Sequence, residues 1–217
     1  MRLQRIEFGA LLSYTPHGVT PRGVASKGVM TAVKNDEFVI SEGKRVQMSE
    51  FVAQTIKQKR ASLPFSHLFD GNPVLVPTPS SSLKKPDSLW VPNRIALALS
   101  RELGSEVAEC LVRVKPLAKS ATSAAPNRST ALQHFESLQV QELLAKPESI
   151  LLIDDVVTRG ATLLGAANRL AESYPDARIA GFVALRAISN PWEFKSVSES
   201  VRGFITLQSN GGTLRRP

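Results

Sequence analysis

The run Ile150-Leu151-Leu152-Ile153 followed by Asp154-Asp155 constrains the fold more than any other stretch of this chain. Four consecutive apolar residues without alternation suit a strand covered on both faces, as in a parallel sheet flanked by helices; a strand with one wet face would alternate. The two acids are then expected at the carboxyl end of that strand, the edge at which open α/β sheets bind ligands.

The residues after the acid pair add a second requirement. Val156 and Val157 lead into Thr158-Arg159-Gly160-Ala161-Thr162, a turn whose glycine permits close backbone approach, and then into an apolar-periodic helix expected over 161–172. Backbone amides, two threonine hydroxyls and the positive end of a helix dipole together make an anion site, with phosphate as the natural occupant. Paired carboxylates just before it can accept hydrogen bonds from a vicinal diol. A diol beside a phosphate describes a ribose 5-phosphate. Other readings account for parts of this run. Acids also end strands in receiver domains, although there they lie near the start of the domain. Walker B strands end in acids as well, but Gly18 to Gly23 is followed by Val24 and Ala25, not by Lys-Ser/Thr. A purely structural turn would need only one capping acceptor.

Elsewhere, strands are expected over Phe8–Tyr14, Val74–Pro77, Val107–Val112, Ser149–Ile153 and Arg178–Leu185, with helices over Ser26–Lys34, Met48–Arg60, Pro92–Leu103 and Ala161–Glu172. Gly104 is the stop of the third helix. This alternation predicts an α/β fold with a mainly parallel sheet and right-handed crossovers. One compact domain is expected: an N-terminal hood with the first elements over 1–70, a ligand-binding core over 71–190, and a C-terminal segment over 191–217 that becomes a mobile tail from Ser209.

With 42% hydrophobic and 21% charged residues, the chain has an ordinary globular balance. It contains no apolar stretch near the ~20 residues that span a bilayer, and its start lacks the apolar core of a signal peptide, so a cytoplasmic protein is expected. Its one cysteine, Cys110, excludes an intrachain disulfide and a multi-cysteine zinc site, and reads as a core thiol. The formal charge of +8 attracts polyanions. It is dispersed, and aromatics at 6% are too few for an interleaved stacking surface, so nucleic acid is a weakly supported partner.

The segment 150–162 resembles the signature of type I phosphoribosyltransferases, which bind 5-phosphoribosyl 1-pyrophosphate (PRPP); that family usually carries a small or hydroxyl residue where Arg159 stands. The order of parts is similar to the ComF-like branch, without the zinc-binding segment that commonly precedes that branch's catalytic domain. The resemblance implies that Asp154 and Asp155 hold the ribose and that residues 156–162 hold the 5-phosphate. It also implies that Thr78, Pro79 and Ser80, at the end of the Val74–Pro77 strand, face pyrophosphate. Lys115 and Lys119, with Arg128, lie in a long loop implied to be a lid, and Mg²⁺ is implied to be bound through PRPP. The implied reaction is displacement of pyrophosphate by a nitrogen nucleophile or base of unknown identity, with a homodimer as one assembly. A PRPP-sensing regulatory module, or one that contacts nucleic acid, uses the same grip without turnover. Of the aromatics, Tyr14, Phe65, Phe69 and Trp192 are available to stack on a base, with core packing the commoner fate, and His17, His67 and His134 read as surface residues.

Overall fold

A computed structural model of the 217-residue chain describes residues 1–83, 88–117 and 129–217. Its centre is a six-stranded sheet in the order β10-β9-β1-β8-β7-β4. The strands are β1 (Arg5–Tyr14), β4 (Val74–Pro77), β7 (Ser149–Val157), β8 (Arg178–Ala187), β9 (Val201–Leu207) and β10 (Thr213–Arg216). β1, β8, β7 and β4 run parallel, and β9 and β10 close one edge in antiparallel pairing. Two hairpins stand apart from this sheet: β2 (Phe38–Ser41) with β3 (Lys44–Gln47), and β5 (Leu111–Arg113) with β6 (Leu138–Val140).

The unalternating run of β7 is covered on both sides, as its composition demands. Leu151 and Ile153 join the core under α1 (Pro21–Asn35), α2 (Met48–Lys59) and α3 (Val91–Leu103), whereas Ile150 and Leu152 join the core under α5 (Ala161–Ser173). Full burial of each such side chain contributes roughly 1.5–3 kcal/mol, so a polar residue at any of these four positions would be destabilising. α3 ends as expected, on Gly104 at φ 78° with its amide bonded to the Ser100 carbonyl.

Several boundaries differ from the sequence reading, β7 and β8 running longer and β1 starting earlier than expected, and three further differences have identifiable local reasons. α1 begins five residues before Ser26, because the Thr20 hydroxyl accepts from the Gly23 amide and Pro21 takes the first helical turn, a cap signal legible in Thr20-Pro21. The strand expected over 107–112 is instead an isolated bridge at Val107 followed by β5 in its own hairpin; only Val107 pairs with β4, at Leu75. The tail expected from Ser209 contains β10, laid on β9 with Arg215 opposite Ile205. No helix among the described residues is long and apolar enough to cross a membrane.

Candidate functional site

β7 and its two neighbours differ in length, and that difference opens the site. On the β4 side the ladder stops at Pro77 opposite Ile153, while on the β8 side it continues through Asp154 opposite Val183 to Val157 opposite Arg186. Asp154 and Asp155 therefore lie within the strand and not past it, yet just beyond the end of β4.

Asp154 is 9% exposed. Its Oδ1 accepts from the Thr78 hydroxyl at 2.8 Å and from the Asp155 amide at 3.0 Å. Burial, reinforced by the neighbouring charge of Asp155, raises its pKa well above the usual carboxylate range, and the Thr78 bond works against that shift. Asp155 is less buried, and its Oδ1 accepts from the Val156 amide at 2.6 Å. At the end of β1, Tyr14 senses the same charge: its phenol is raised first by burial and then by Asp155.

The turn after β7 is shaped by Gly160, which sits at φ 87° as the N-cap of α5. A Cβ there would meet Ile205 Cδ1 of β9 at 2.5 Å, so both the backbone conformation and the packing require glycine. Among the described residues no side chain caps this helix start, so its first amides keep their donor capacity. Val156, Val157, Thr158, Arg159, Gly160, Ala161 and Thr162 line a cleft of about 760 Å³ together with Asp154. The rest of its wall includes Tyr14 at the end of β1 with Pro16 and His17 just after it, Lys27, Met30 and Lys34 of α1, Leu163 of α5, Ser129, and Ala187 at the end of β8 with Ser189 beyond it. The 27, 30, 34 spacing is visible in the sequence as a helical stripe; its direction into the cleft is set by the packing of α1 and was not foreseen.

The loop after β4 is built differently. Thr78 is 1% exposed and turned to Asp154, while its carbonyl accepts from Trp90 Nε1 at 2.8 Å. Arg113 of β5 donates to the Ser80 carbonyl through Nε and to the Ser137 hydroxyl through Nη1 at 2.5 Å, with a longer contact of 3.4 Å to the Pro79 carbonyl. The Leu117 amide bonds the Ser81 carbonyl at 2.8 Å. A smaller cavity of about 250 Å³ lies beside this loop, lined by Pro79, Ser80, Trp90 and Arg113 among others. Arg113, only 5% exposed, is lowered to about 10 by burial, opposed by the charge of Asp154, and so remains a cation near neutrality. Lys115 is exposed just past β5 and lines neither cavity; Lys119 and Arg128 lie outside the described residues.

Two further groups were missed or misread from sequence. His134 is buried, because α4 (Ala131–Glu136) packs closely on α5, where a Cβ at Gly165 would meet the Ala131 carbonyl at 2.5 Å. Burial, aided by Arg113, pushes its pKa down to about 4, so a neutral imidazole lies 3.4 Å from the Thr162 hydroxyl. Arg186, 6% exposed in β8, donates to the Ser13 hydroxyl at 2.8 Å and lies 3.1 Å from Glu199. A lone cation in the apolar run Gly181–Ile188 is the signal that could have marked it. Phe65 and Phe69 are core residues packed on Phe182, and Cys110 is buried, its thiol pushed up to about 11.

The fold and this cleft define an α/β protein with an acid pair and an uncapped helix start at the carboxyl end of a parallel strand. No family model and no curated protein matches the chain. Among solved structures it is similar to TT1426 of Thermus thermophilus, at 14% identity over 69% of this chain and 85% of that one, with a TM-score of 0.33. It is also similar to a hypoxanthine phosphoribosyltransferase of Staphylococcus aureus, at 12% identity over 72% of this chain and 80% of that one, with a TM-score of 0.35. Likenesses of that size leave the cleft itself to carry the functional reading.

Proposed function

We propose that the chain binds PRPP in the 760 Å³ cleft and transfers its phosphoribosyl group to a nitrogen nucleophile. One observation carries this reading: the acid pair and the uncapped start of α5 are joined by a turn that glycine alone can make, and Asp154 and the turn line one cleft. The 5-phosphate then sits on the amides and hydroxyls of 158–162, and the carboxylates accept from the ribose hydroxyls. As the C1–N bond forms, the C1–O bond to pyrophosphate breaks and pyrophosphate leaves with the electron pair. Asp154 and Asp155 hold the sugar in line and lend negative field to the positive charge that develops on its ring.

The donor set suits Mg²⁺ arriving with the ligand. The acid pair offers two carboxylates, and Mg²⁺ is commonly bound by one or two carboxylates plus phosphate oxygens and water. Bound in this way, the ion supplies charge neutralisation for the leaving pyrophosphate.

A second reading is favoured by the loop after β4, whose carbonyls are already engaged by Arg113 and by the Leu117 amide. A protein that senses PRPP without turnover needs the grip on the phosphoribosyl half and no further cation for pyrophosphate. Incubation with PRPP, Mg²⁺ and a panel of bases, amines and ammonia separates the two. Pyrophosphate release supports transfer, binding by calorimetry without release supports sensing, and no PRPP binding at all removes both.

A further inference from the structure

The C-terminal strand brings a half-buried charge to the back of the 158–162 turn. Arg215 of β10 donates through Nε to the Thr158 carbonyl at 2.7 Å and through Nη2 to the Ala187 carbonyl, so it ties the turn to the end of β8. Its register partner on β9 is Ile205, the same side chain that fills the space behind Gly160. One hairpin thus backs the turn at both Thr158 and Gly160.

The charge balance around Arg215 is incomplete. Arg186 nearby is offset by Glu199, whereas Arg215 has no carboxylate partner among the described residues, and its Nη1 is buried without an acceptor. Burial followed by the proximity of Arg186 lowers its pKa to about 10, which leaves it charged near neutrality. The half-buried guanidinium bonds two carbonyls and faces the Phe8 ring at 6.0 Å, with no carboxylate among the described residues to balance it; an anion bound on the far side of the same turn would supply that balance.

We propose that Arg215 is a positioning residue for the anion at the 158–162 turn, holding the Thr158 carbonyl toward β10 and supplying positive charge from behind. Docking of the C-terminal strand and occupation of the turn are then linked, and linkage is reciprocal: the anion tightens β10 as β10 tightens the anion. This inference rests on the PRPP reading for its ligand, but the anion can be tested separately.

The probes are inorganic phosphate and PRPP, titrated calorimetrically into the wild-type chain, R215K and R215M at several salt concentrations. R215M is expected to lose about tenfold in affinity for both probes, the size of one charge-assisted contact, and to show a shallower salt dependence. R215K is expected to recover part of the affinity, because it keeps the charge but not the planar fork. A merely structural role would lower the Tm of R215M without changing the salt dependence. Should R215M fail to fold, hydrogen exchange of wild-type residues 213–216 replaces it: slower exchange with phosphate present supports the linkage, and unchanged exchange overturns it. A folded R215M that binds both probes as tightly as wild type also overturns it. PRPP binding that survives loss of both Asp154 and Asp155 would instead overturn the functional reading, and wild-type protein that binds neither probe would overturn both.

Discussion

Two loops meet Asp154 from adjacent parallel strands, and they are held to different degrees by outside partners. The turn after β7 takes its shape mainly from its own residues: Gly160 adopts the left-handed conformation, α5 begins at once with its amides uncapped, and outside support reaches it from behind, through Arg215 at the Thr158 carbonyl and Ile205 at Gly160. The loop after β4 is held from outside, its carbonyls bound by Trp90, Arg113 and the Leu117 amide. A locally encoded turn can direct donors at a ligand, whereas a loop held by its carbonyls directs its polarity into the protein. The contrast favours the first as the seat of the proposed anion and the second as its support.

The strongest way to break this contrast is to remove the acids between the loops. D154N combined with D155N is expected to cost on the order of a thousandfold in PRPP affinity, two charge-assisted contacts together, measured by calorimetry. Unchanged affinity would end the assignment of the first loop. G160A comes next, with an expected loss of about 3 kcal/mol in chemical denaturation, from left-handed strain plus contact with Ile205. Adding I205A should return the packing part but not the backbone part. R113M is expected to cost about 2 kcal/mol of stability by leaving the Ser80 carbonyl and the Ser137 hydroxyl without their charged donor. Phosphate affinity at the first loop should be unchanged; a parallel loss there would show that the two loops are one unit.

The smallest effect concerns protons. In the folded chain the pKa of Asp154 is raised above its unfolded value, so the stability associated with its proton is present at acid pH and lost as pH rises through the raised pKa. D154N should remove that decline and leave the ligand-free protein more stable than wild type above neutrality, by thermal unfolding across pH. T78V deletes the hydroxyl that favours the ionised form, at a cost of about 1 kcal/mol. The pH at which PRPP binding becomes strong should move upward in T78V, and an unmoved profile would separate Asp154 from diol recognition.

Much of the frame was legible before any coordinates. The unbroken apolar run of 150–153 required cover on both faces, Val74–Pro77 and the α3 stop at Gly104 were read to the residue, and the acid pair with its glycine turn marked the cleft. The boundaries that slipped did so where distant partners intervened. β7 runs on past Ile153 because β8 continues to pair with it, and the C-terminal residues form a strand because β9 offers an edge.

Sequence alone determined the covered strand, the acids at its far half and the helix start behind Gly160, because each is specified by apolar period, backbone sterics or capping chemistry within a few residues. Tertiary structure alone decided that Thr78 bonds Asp154, that His134 is buried beside Thr162, that α1 turns Lys27 and Lys34 into the cleft and that Arg215 supports Thr158. Those contacts join residues far apart in the chain. Their partners are chosen by the order of strands in the sheet and the packing of helices on it, which local pattern does not encode.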